Sequence, residues 1–491
     1  MEVKIVKLAD VVSHKKEFII IDDNMDYKRC RVKLHRQGIV LRDIIKGAEI
    51  KTKKQQVCKT GQLLVAEIDA KVGGYGIVPE ELNGAIVSSH YYLFDIDTEI
   101  INLSYLEYFL KTDDFFNQLK PQGSTNYAAI RPSDVLNISI PLQPFESQIE
   151  IAKKLQLIDQ KLNLFNTKVE KNEQYIKTLR QSILQEAVQG KLIQQNCIDE
   201  PACVLLDKIK YEKDRLIKEK KFKKEKTLPP ISDDEKPFEL PLGWQWVRLG
   251  DFTTIKGGKR LPIGCTLSDT PTSHVYIRVT DMKNETIDDS DLKYISDEVY
   301  EQIKEYIIES KDLYITIVGS TIGKVGIVPE KFNNMNLTEN AARIIIHGVD
   351  KMFLLHMLKT SFMQEQFIDK TNQVGQPKLA LIRLKSAIFP LPPLQEQIRI
   401  AEKVDSLMTF CNEIENMIVK SKKESDLLMQ ATLKEAFTYI DTEVNVVDLP
   451  IQGSDKHIHW EIAARVDGGI NPETQAKISN RVAELLSKKR G

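Results

Sequence analysis

The sequence predicts an α+β fold: two copies of one α/β domain, separated by two long helices that form an antiparallel coiled coil with pseudo-two-fold symmetry. Three observations predict it. PLQPFESQIEIAKK at Pro141–Lys154 returns as PLPPLQEQIRIAEK at Pro390–Lys403, an offset of 390 − 141 = 249 in a chain of 491 residues. A self-match at half-length means a duplicated unit. After each copy, apolar residues recur at alternating steps of three and four. They are Leu155, Ile158, Leu162, Phe165 and Val169 in the first, and Val404, Leu407, Cys411, Ile414 and Ile418 in the second. The seam continues through Ile176, Leu179 and Ile183 against Ser425, Leu428 and Thr432, turning more polar on the way. Before each copy, GIVPE stands at Gly76–Glu80 and again at Gly326–Glu330, preceded by LLVAEIDAKVGGY (Leu63–Tyr75) and LYITIVGSTIGKV (Leu313–Val325). Both stretches read as a buried strand, a glycine turn and a second strand.

The first domain spans residues 1–144. Arg29, Arg31, Lys33 and His35 alternate with Cys30, Val32 and Leu34, which on a strand places one cationic face opposite one buried face. Lys51, Lys53 and Lys54 follow, then Gln55 and Gln56. A phosphate-facing surface and a plain solvated strand are both open at this point. Pro141 and Pro144 end the last strand and fix the start of the first long helix, residues 145–190, with Gly190 as its stop. Each long helix has about 45 residues and is roughly 65 Å long, too long to bury an apolar stripe alone. The two stripes share a period and a length, so they pack on each other. Antiparallel packing gives one seam that both copies share, with the globular domains at opposite ends.

Residues 191–240 are a connector whose Asp207–Lys226 segment is strongly basic and helical in pattern. The second domain spans 241–394. Lys256, Gly257, Gly258, Lys259 and Arg260 form a basic glycine loop, able to approach a phosphate or to act as a plain hairpin turn. Tyr276–Val279 reads as a strand with Arg278 projecting from it. Gly375–Lys378 and Gln122–Tyr127 are small polar loops at matching places in the two halves. Residues 395–438 form the second long helix. The tail, 439–491, has no counterpart and carries two short helical patterns, Glu461–Val466 and Pro472–Lys488.

Composition bounds the function. The net charge is −1, so a nucleic-acid surface must be local. No run of eighteen apolar residues occurs, and the N-terminus lacks the order of a signal peptide, so no membrane partner and a cytoplasmic location are expected. Six cysteines without C-x-x-C pairs fit reduced thiols. Catalytic motifs are missing. There is no Asn/Asp-Pro-Pro-aromatic loop for amino-methyl transfer. Gly319–Lys324 has three residues between its glycines where a P-loop has four, and Val325 stands where the metal-binding hydroxyl belongs. Glu67, Asp69 and Lys71 have Ile317, Gly319 and Thr321 as repeat equivalents, so no carboxylate cluster is shared. His457 and His459 are too few for a metal site.

The two junctions, the helix end SILQEAVQGKL (Ser182–Leu192), the connector at Glu212–Asp251 and the strand pair LYITIVGSTIGKVGIV together resemble the DNA specificity subunit of type I restriction–modification systems, over about residues 1–440. The resemblance implies two target recognition domains, each reading half of a split, asymmetric duplex DNA site. It implies two methyltransferase (modification) subunits and two restriction/translocase subunits as partners. S-adenosylmethionine, ATP and Mg are then expected in those partners, with no cofactor, catalytic residue or metal in this chain. On this reading Arg29, Arg31, Lys53, Lys54, Lys259 and Arg260 contact phosphates, and Gln55, Asn126, Arg278 and Gln376 lie at base edges. The alternatives are a coiled-coil scaffold that binds protein alone and the specificity subunit of a methylation-only phage-defence complex.

Overall fold

The computed structural model describes residues 3–119, 129–219, 227–369, 371–372 and 377–438. The expected tail helices and residues 220–226 of the basic connector lie outside them. Two compact units form. One holds the chain up to Asn172 together with the second long helix from Met417; the other holds Glu173–Asn416.

The first domain runs β1 (Lys4–Lys7), β2 (Val12–Lys15), β3 (Phe18–Ile20), β4 (Asp26–Val32), β5 (Ile39–Lys46), β6 (Lys54–Val57), β7 (Leu63–Ala66), β8 (Tyr75–Ile77), β9 (Ile86–Val87), β10 (Tyr91–Ile96), α1 (Leu103–Leu110), α2 (Asp113–Gln118), α3 (Pro132–Leu136) and β11 (Ser139–Leu142), then the first long helix, α4 (Phe145–Val188). One sheet has the order β2-β10-β7-β8 and another β3-β6-β9-β4-β5. The run Leu63–Ala66 is apolar throughout because β7 is covered on both faces. Leu63 and Val65 enter one core with Phe94, Tyr105 and Phe115. Leu64 and Ala66 enter a second core with Cys30, Val32 and Cys58. Residues one apart on a strand face opposite ways, so one short strand joins two cores.

The second domain repeats the plan. After the connector helix α5 (Ala202–Lys218) come β12 (Gln245–Arg248), α6 (Leu249–Phe252), β13 (Thr253–Gly257), β14 (His274–Ile277), β15 (Met282–Lys283), β16 (Thr286–Ile287), β17 (Tyr294–Ile295), α7 (Asp297–Ile303), β18 (Ile307–Ile308), β19 (Leu313–Thr316) and β20 (Val325–Ile327). Then follow β21 (Met335–Leu337), β22 (Ala341–Ile346), α8 (Lys351–Leu358), α9 (Ser361–Asp369), β23 (Thr371–Asn372), β24 (Lys378–Leu379), α10 (Leu381–Lys385), β25 (Ile388–Leu391) and the second long helix, α11 (Leu394–Phe437). The sheet β13-β22-β19-β20 matches β2-β10-β7-β8 strand for strand. The register matches too: Leu63 pairs with Ile77 and Leu313 with Ile327.

The repeated junction has a physical reason. Gln148, in the first turn of α4, accepts the Asn102 N–H at 2.8 Å and donates to the carbonyls of Ile100 and Gln143. Its repeat Gln397 accepts the Asp350 N–H at 2.9 Å and donates to Pro392. Asn102 and Asp350 are the N-cap residues of α1 and α8. Each glutamine is fully buried and ties a long helix to the cap of a short one. Truncating either to alanine leaves a buried N–H unpaired, so Gln397→Ala is expected to lower unfolding stability by about 1–3 kcal/mol in denaturant titration. A second lock was not legible from the repeat. Gln118 exchanges two hydrogen bonds with the Ser139 backbone, and Gln366 does the same with Ile388.

The long helices pair within each unit, and they run antiparallel. In the first, Ala152 and Leu155 share a core with Leu433 and Phe437. In the second, Arg180 reaches Asn412 at 2.5 Å and Glu415 at 2.9 Å. Leu155, Leu162, Val169, Ile176 and Ile183 are buried at a spacing of seven, with Ile158 and Phe165 half-buried between them. Val404, Leu407, Cys411, Ile414, Ile418 and Ser425 are buried on α11. Beyond that the expected seam at Leu428 and Thr432 gives way to Leu433 and Phe437. A straight α-helix drifts about 20° per heptad from a 3.5-residue period, and the final turns face the domain core. At the end of α4, Gly190 takes φ +67°. It donates to Ala187 while Lys191 donates to Glu186, so the stop is a Schellman turn.

Two local expectations are corrected. Strand β4 ends at Val32, and residues 33–38 turn, so Leu34 is exposed instead of buried. The connector helix starts at Ala202, because Ala202, Leu205 and Ile209 bury its apolar side, and it ends at Lys218 among the described residues. The glycine loop at Lys256–Arg260 serves the chain's own backbone: a Cβ at Gly258 would sit 2.1 Å from the Thr338 carbonyl oxygen. Among the described residues no helix is long and apolar enough to cross a membrane.

Candidate nucleic-acid interface

Each domain brings a glycine turn and a hairpin tip together. In the first, Ile130 N–H donates to the Glu67 carbonyl at 2.9 Å, and Glu67 N–H to His90 at 2.9 Å. This ties Ile130 to the end of β7. The glycine turn that follows, Asp69–Gly74, receives the tip of the β4–β5 hairpin: His35 N–H bonds Val72 at 2.7 Å and Arg36 N–H bonds Gly73 at 2.9 Å. In the second domain Leu379 N–H donates to Ile317 and Ile317 N–H to Asn340, both at 2.9 Å. Gly319 N–H bonds Pro377, and the turn Gly319–Lys324 joins β19 to the antiparallel β20 with no helix after it. The tip of the two-stranded β15–β16 hairpin docks alongside, its Glu285 carbonyl accepting Ile327 N–H at 2.8 Å.

The frame is common and the side chains on it differ. Lys33, Leu34, His35 and Gln37 are exposed at the first tip. Lys283 and Asn284 are exposed at the second, with Lys324 exposed on the adjoining turn. A cleft of about 480 Å³ opens beside the second tip, lined by Arg278, Lys283, Asp288, Ser290, Thr321 and Lys324. The Lys283 ammonium, 2.6 Å from Asp288, holds that carboxyl down to about 2. The first tip borders a smaller cleft of about 200 Å³, between Arg36, Gln37, Gly76 and Lys111. The sheets β3-β6-β9-β4-β5 and β17-β14-β21-β18 differ most at their β5 and β17 edges. Strand β5 has eight residues and pairs along all of β4, whereas β17 has two. A bulge makes Arg42 the extra residue of β5, since Arg29 faces Asp43 while Cys30 faces Leu41.

The residues singled out in the sequence fall in several places. Arg29 makes a bidentate pair with Asp43, at 2.7 and 2.6 Å, which holds the Asp43 carboxyl below its ordinary range. Arg31, on the same face of β4, is exposed. Lys53 binds Asp23 and the Gly47 carbonyl, and Lys54 lies 4.6 Å over the Phe18 ring. These two stand on or before β6, which β9 separates from β4. Arg260 is exposed and pairs with Glu339 at 2.7 Å, and Lys259 lies 5.3 Å from the Tyr306 ring centre. Asn126 and Gln376 lie outside the described residues.

One base-edge assignment is corrected. Gln55 is buried and donates to the Thr52 carbonyl at 2.6 Å, because β6 lies between β3 and β9 and has both faces covered. Arg278 follows the end of β14 and is held by Asp281 at 2.6 Å and Asp291 at 3.2 Å. By strand register Arg278 takes the place of Arg31: Arg29 pairs with Ile86 of β9, and Tyr276 pairs with the equivalent Asn336 of β21. Arg29 and Arg278 each tie a strand to an aspartate further along the chain, so both brace a hairpin. The two hairpin tips were missed by sequence reasoning.

The sequence pattern of one family, described as the type I restriction modification DNA specificity domain, matches residues 1–174 and 241–421. The chain belongs to this family. The two matched segments of the specificity domain are the two globular domains with the parts of the long helices that follow them. The type I restriction enzyme EcoAI specificity subunit of Escherichia coli is 33% identical over 275 residues, covering 54% of this chain and 45% of that protein. The EcoEI specificity subunit of Escherichia coli is 27% identical over 339 residues, covering 66% and 54%. The chain thus spans about half the length of these two relatives. The MjaVIII specificity subunit of Methanocaldococcus jannaschii is 21% identical over 456 residues, covering 91% and 94%. The specificity-domain fold recurs in the HsdS subunit from Thermoanaerobacter tengcongensis, at TM-score 0.51 and 19% identity over 89% of this chain and 96% of that one. A chain from a structure described as concerning complex assembly and conformational transition of the type I R-M system superposes at TM-score 0.61 with 18% identity, over 89% and 97%.

Proposed function

We propose that this chain is the sequence-reading subunit of a type I restriction–modification complex, binding a bipartite, asymmetric duplex site with one half-site per domain. One observation carries the reading: two domains share a frame down to single hydrogen bonds and present different side chains on their glycine turns and hairpin tips. That is what two readers of different half-sites require. Half-site separation on a duplex sets distance and rotational phase together, so readers need a fixed interval, and the paired long helices supply it. The chain has no chemistry of its own in this reading. Two methyltransferase subunits bring S-adenosylmethionine and methylate adenine. Two restriction/translocase subunits bring ATP and Mg. The complex works in the cytoplasm, where the DNA is.

Phosphate contact falls to exposed cations such as Arg31, Lys33, Lys324 and Arg260, and these set register without reading sequence. Arg31→Ala is expected to weaken all duplexes alike and to lower the slope of log affinity against log salt by about one. A binding series between low and moderate salt checks it. The experiment for the function itself is a map of methylated adenines in DNA from cells with and without the gene. A split motif that disappears with the gene is the expected result. An unchanged map contradicts the reading.

A further inference from the structure

We infer that His35 and Asn284, at the summits of the two hairpin tips, are specificity-determining residues, each contacting a base edge in a different half-site. This rests on the DNA-reading function proposed above. Among the described residues, ten glycines and five other residues have positive φ. Four of those five are the tips: His35 (φ 59°), Arg36 (φ 61°), Asn284 (φ 50°) and Glu285 (φ 62°). The offsets 284 − 35 and 285 − 36 are both 249. Elsewhere the chain mostly meets a left-handed position with glycine, and at both tips it carries side chains instead.

The second member of each pair explains itself by anchoring. Arg36 donates to the Lys111 carbonyl at 3.0 Å and to Asp113 at 2.8 Å, and it lies over the Phe116 ring. Glu285 pairs with Lys359, the repeat of Lys111 at offset 248. Framework glycines let the tips come close. The absent Cβ of Gly76 leaves 3.0 Å to Gly38 Cα, and that of Gly326 leaves 2.5 Å to the Glu285 carbonyl oxygen. The tips are therefore rigid, anchored through Arg36 and Glu285 and braced on the glycine turns.

His35 and Asn284 have no such role in the fold. Both are exposed, on the outer side of an anchored turn. Their neighbours are the cations Lys33 and Lys283 and the glycine turns. An asparagine amide offers a donor and an acceptor that match an adenine edge. A histidine N–H matches the acceptors of a guanine edge. Different groups on the hairpin tips of the two domains give each domain its own preference.

Glycine substitution separates reading from folding, because glycine fits φ > 0 at no steric cost while removing the side chain. The full chain, purified from its own cells with the subunits that accompany it, is incubated with duplexes carrying randomised base pairs, and the bound fraction is sequenced. His35→Gly is expected to lose roughly ten-fold of the preference at one base pair of one half-site, and Asn284→Gly likewise in the other half only. Melting temperatures stay equal or rise. His35→Asn keeps a residue that tolerates the left-handed backbone and is expected to change the selected base. If the unsubstituted complex selects a split motif and all three variants select that same motif, the tips do not read and this inference falls. If the unsubstituted complex selects no sequence, the DNA-reading function falls with it.

Discussion

Replacing Arg343 by alanine is expected to lower the stability of the second domain by about 3–5 kcal/mol, the usual cost of stranding one partner of a buried ion pair. Arg343 lies on β22, an interior strand of its sheet, and is nearly inaccessible. Its Nη2 is 2.8 Å from Glu309 and 2.9 Å from Asp312, and its Nη1 donates to the Ile307 carbonyl at 2.7 Å. Asp312 is fully buried. Burial pushes its carboxyl up, and the guanidinium opposes that. Without Arg343 the Asp312 carboxylate faces a dry core and must take up a proton or draw in water. Adding Asp312→Asn is expected to recover part of the loss. Denaturant unfolding of the three proteins checks this, and a loss below about 1 kcal/mol in the single variant contradicts it. The first domain shows that the frame does not demand this pair. The cross-strand partner of Tyr314 is Arg343, and the partner of the equivalent Leu64 is the buried apolar Leu93.

Phe437→Ala is expected to have an effect of similar size on the first unit, about 3–5 kcal/mol for a large aromatic removed from a packed core. The Phe437 ring lies 4.9 Å from Tyr105 and 5.4 Å from Phe109. Leu433 enters the same cluster one turn earlier. The last turns of α11 are thus part of the core of the N-terminal domain. The variant is expected to melt the first unit earlier than the unsubstituted chain. Calorimetry of the full chain checks it, and an unchanged profile contradicts it.

The frame was legible in the sequence because it is written twice. The GIVPE strands, the proline junctions and the heptads down to Ile183 and Ile418 each follow from a spacing or a turn residue that physics restricts. Partner choice was not legible. Alternation puts Gln55 and Gln56 on opposite faces of β6, but it does not say that strands and cores cover both faces. Arg29 looked available because nothing local announces Asp43, which comes from later in the chain. The seam beyond Ser425 was misplaced because the final turns of α11 answer to the domain core instead of a helix partner. The tips were overlooked because His-Arg and Asn-Glu share no residue type. Only their left-handed backbone, which a sequence does not print, makes them alike.

The central claim is that two differently surfaced readers are kept at a set interval by the helix pair. The most direct test removes one heptad from each helix at facing places, residues 165–171 of α4 and 417–423 of α11, and repeats the selection from randomised duplexes. Seven residues at 1.5 Å shorten the pair by about 10 Å, or roughly three base pairs at 3.4 Å each. The account predicts that the two half-site motifs stay the same while the unspecified gap between them shortens or the original site is no longer bound. A shortened complex that selects the original gap with the original affinity would contradict it.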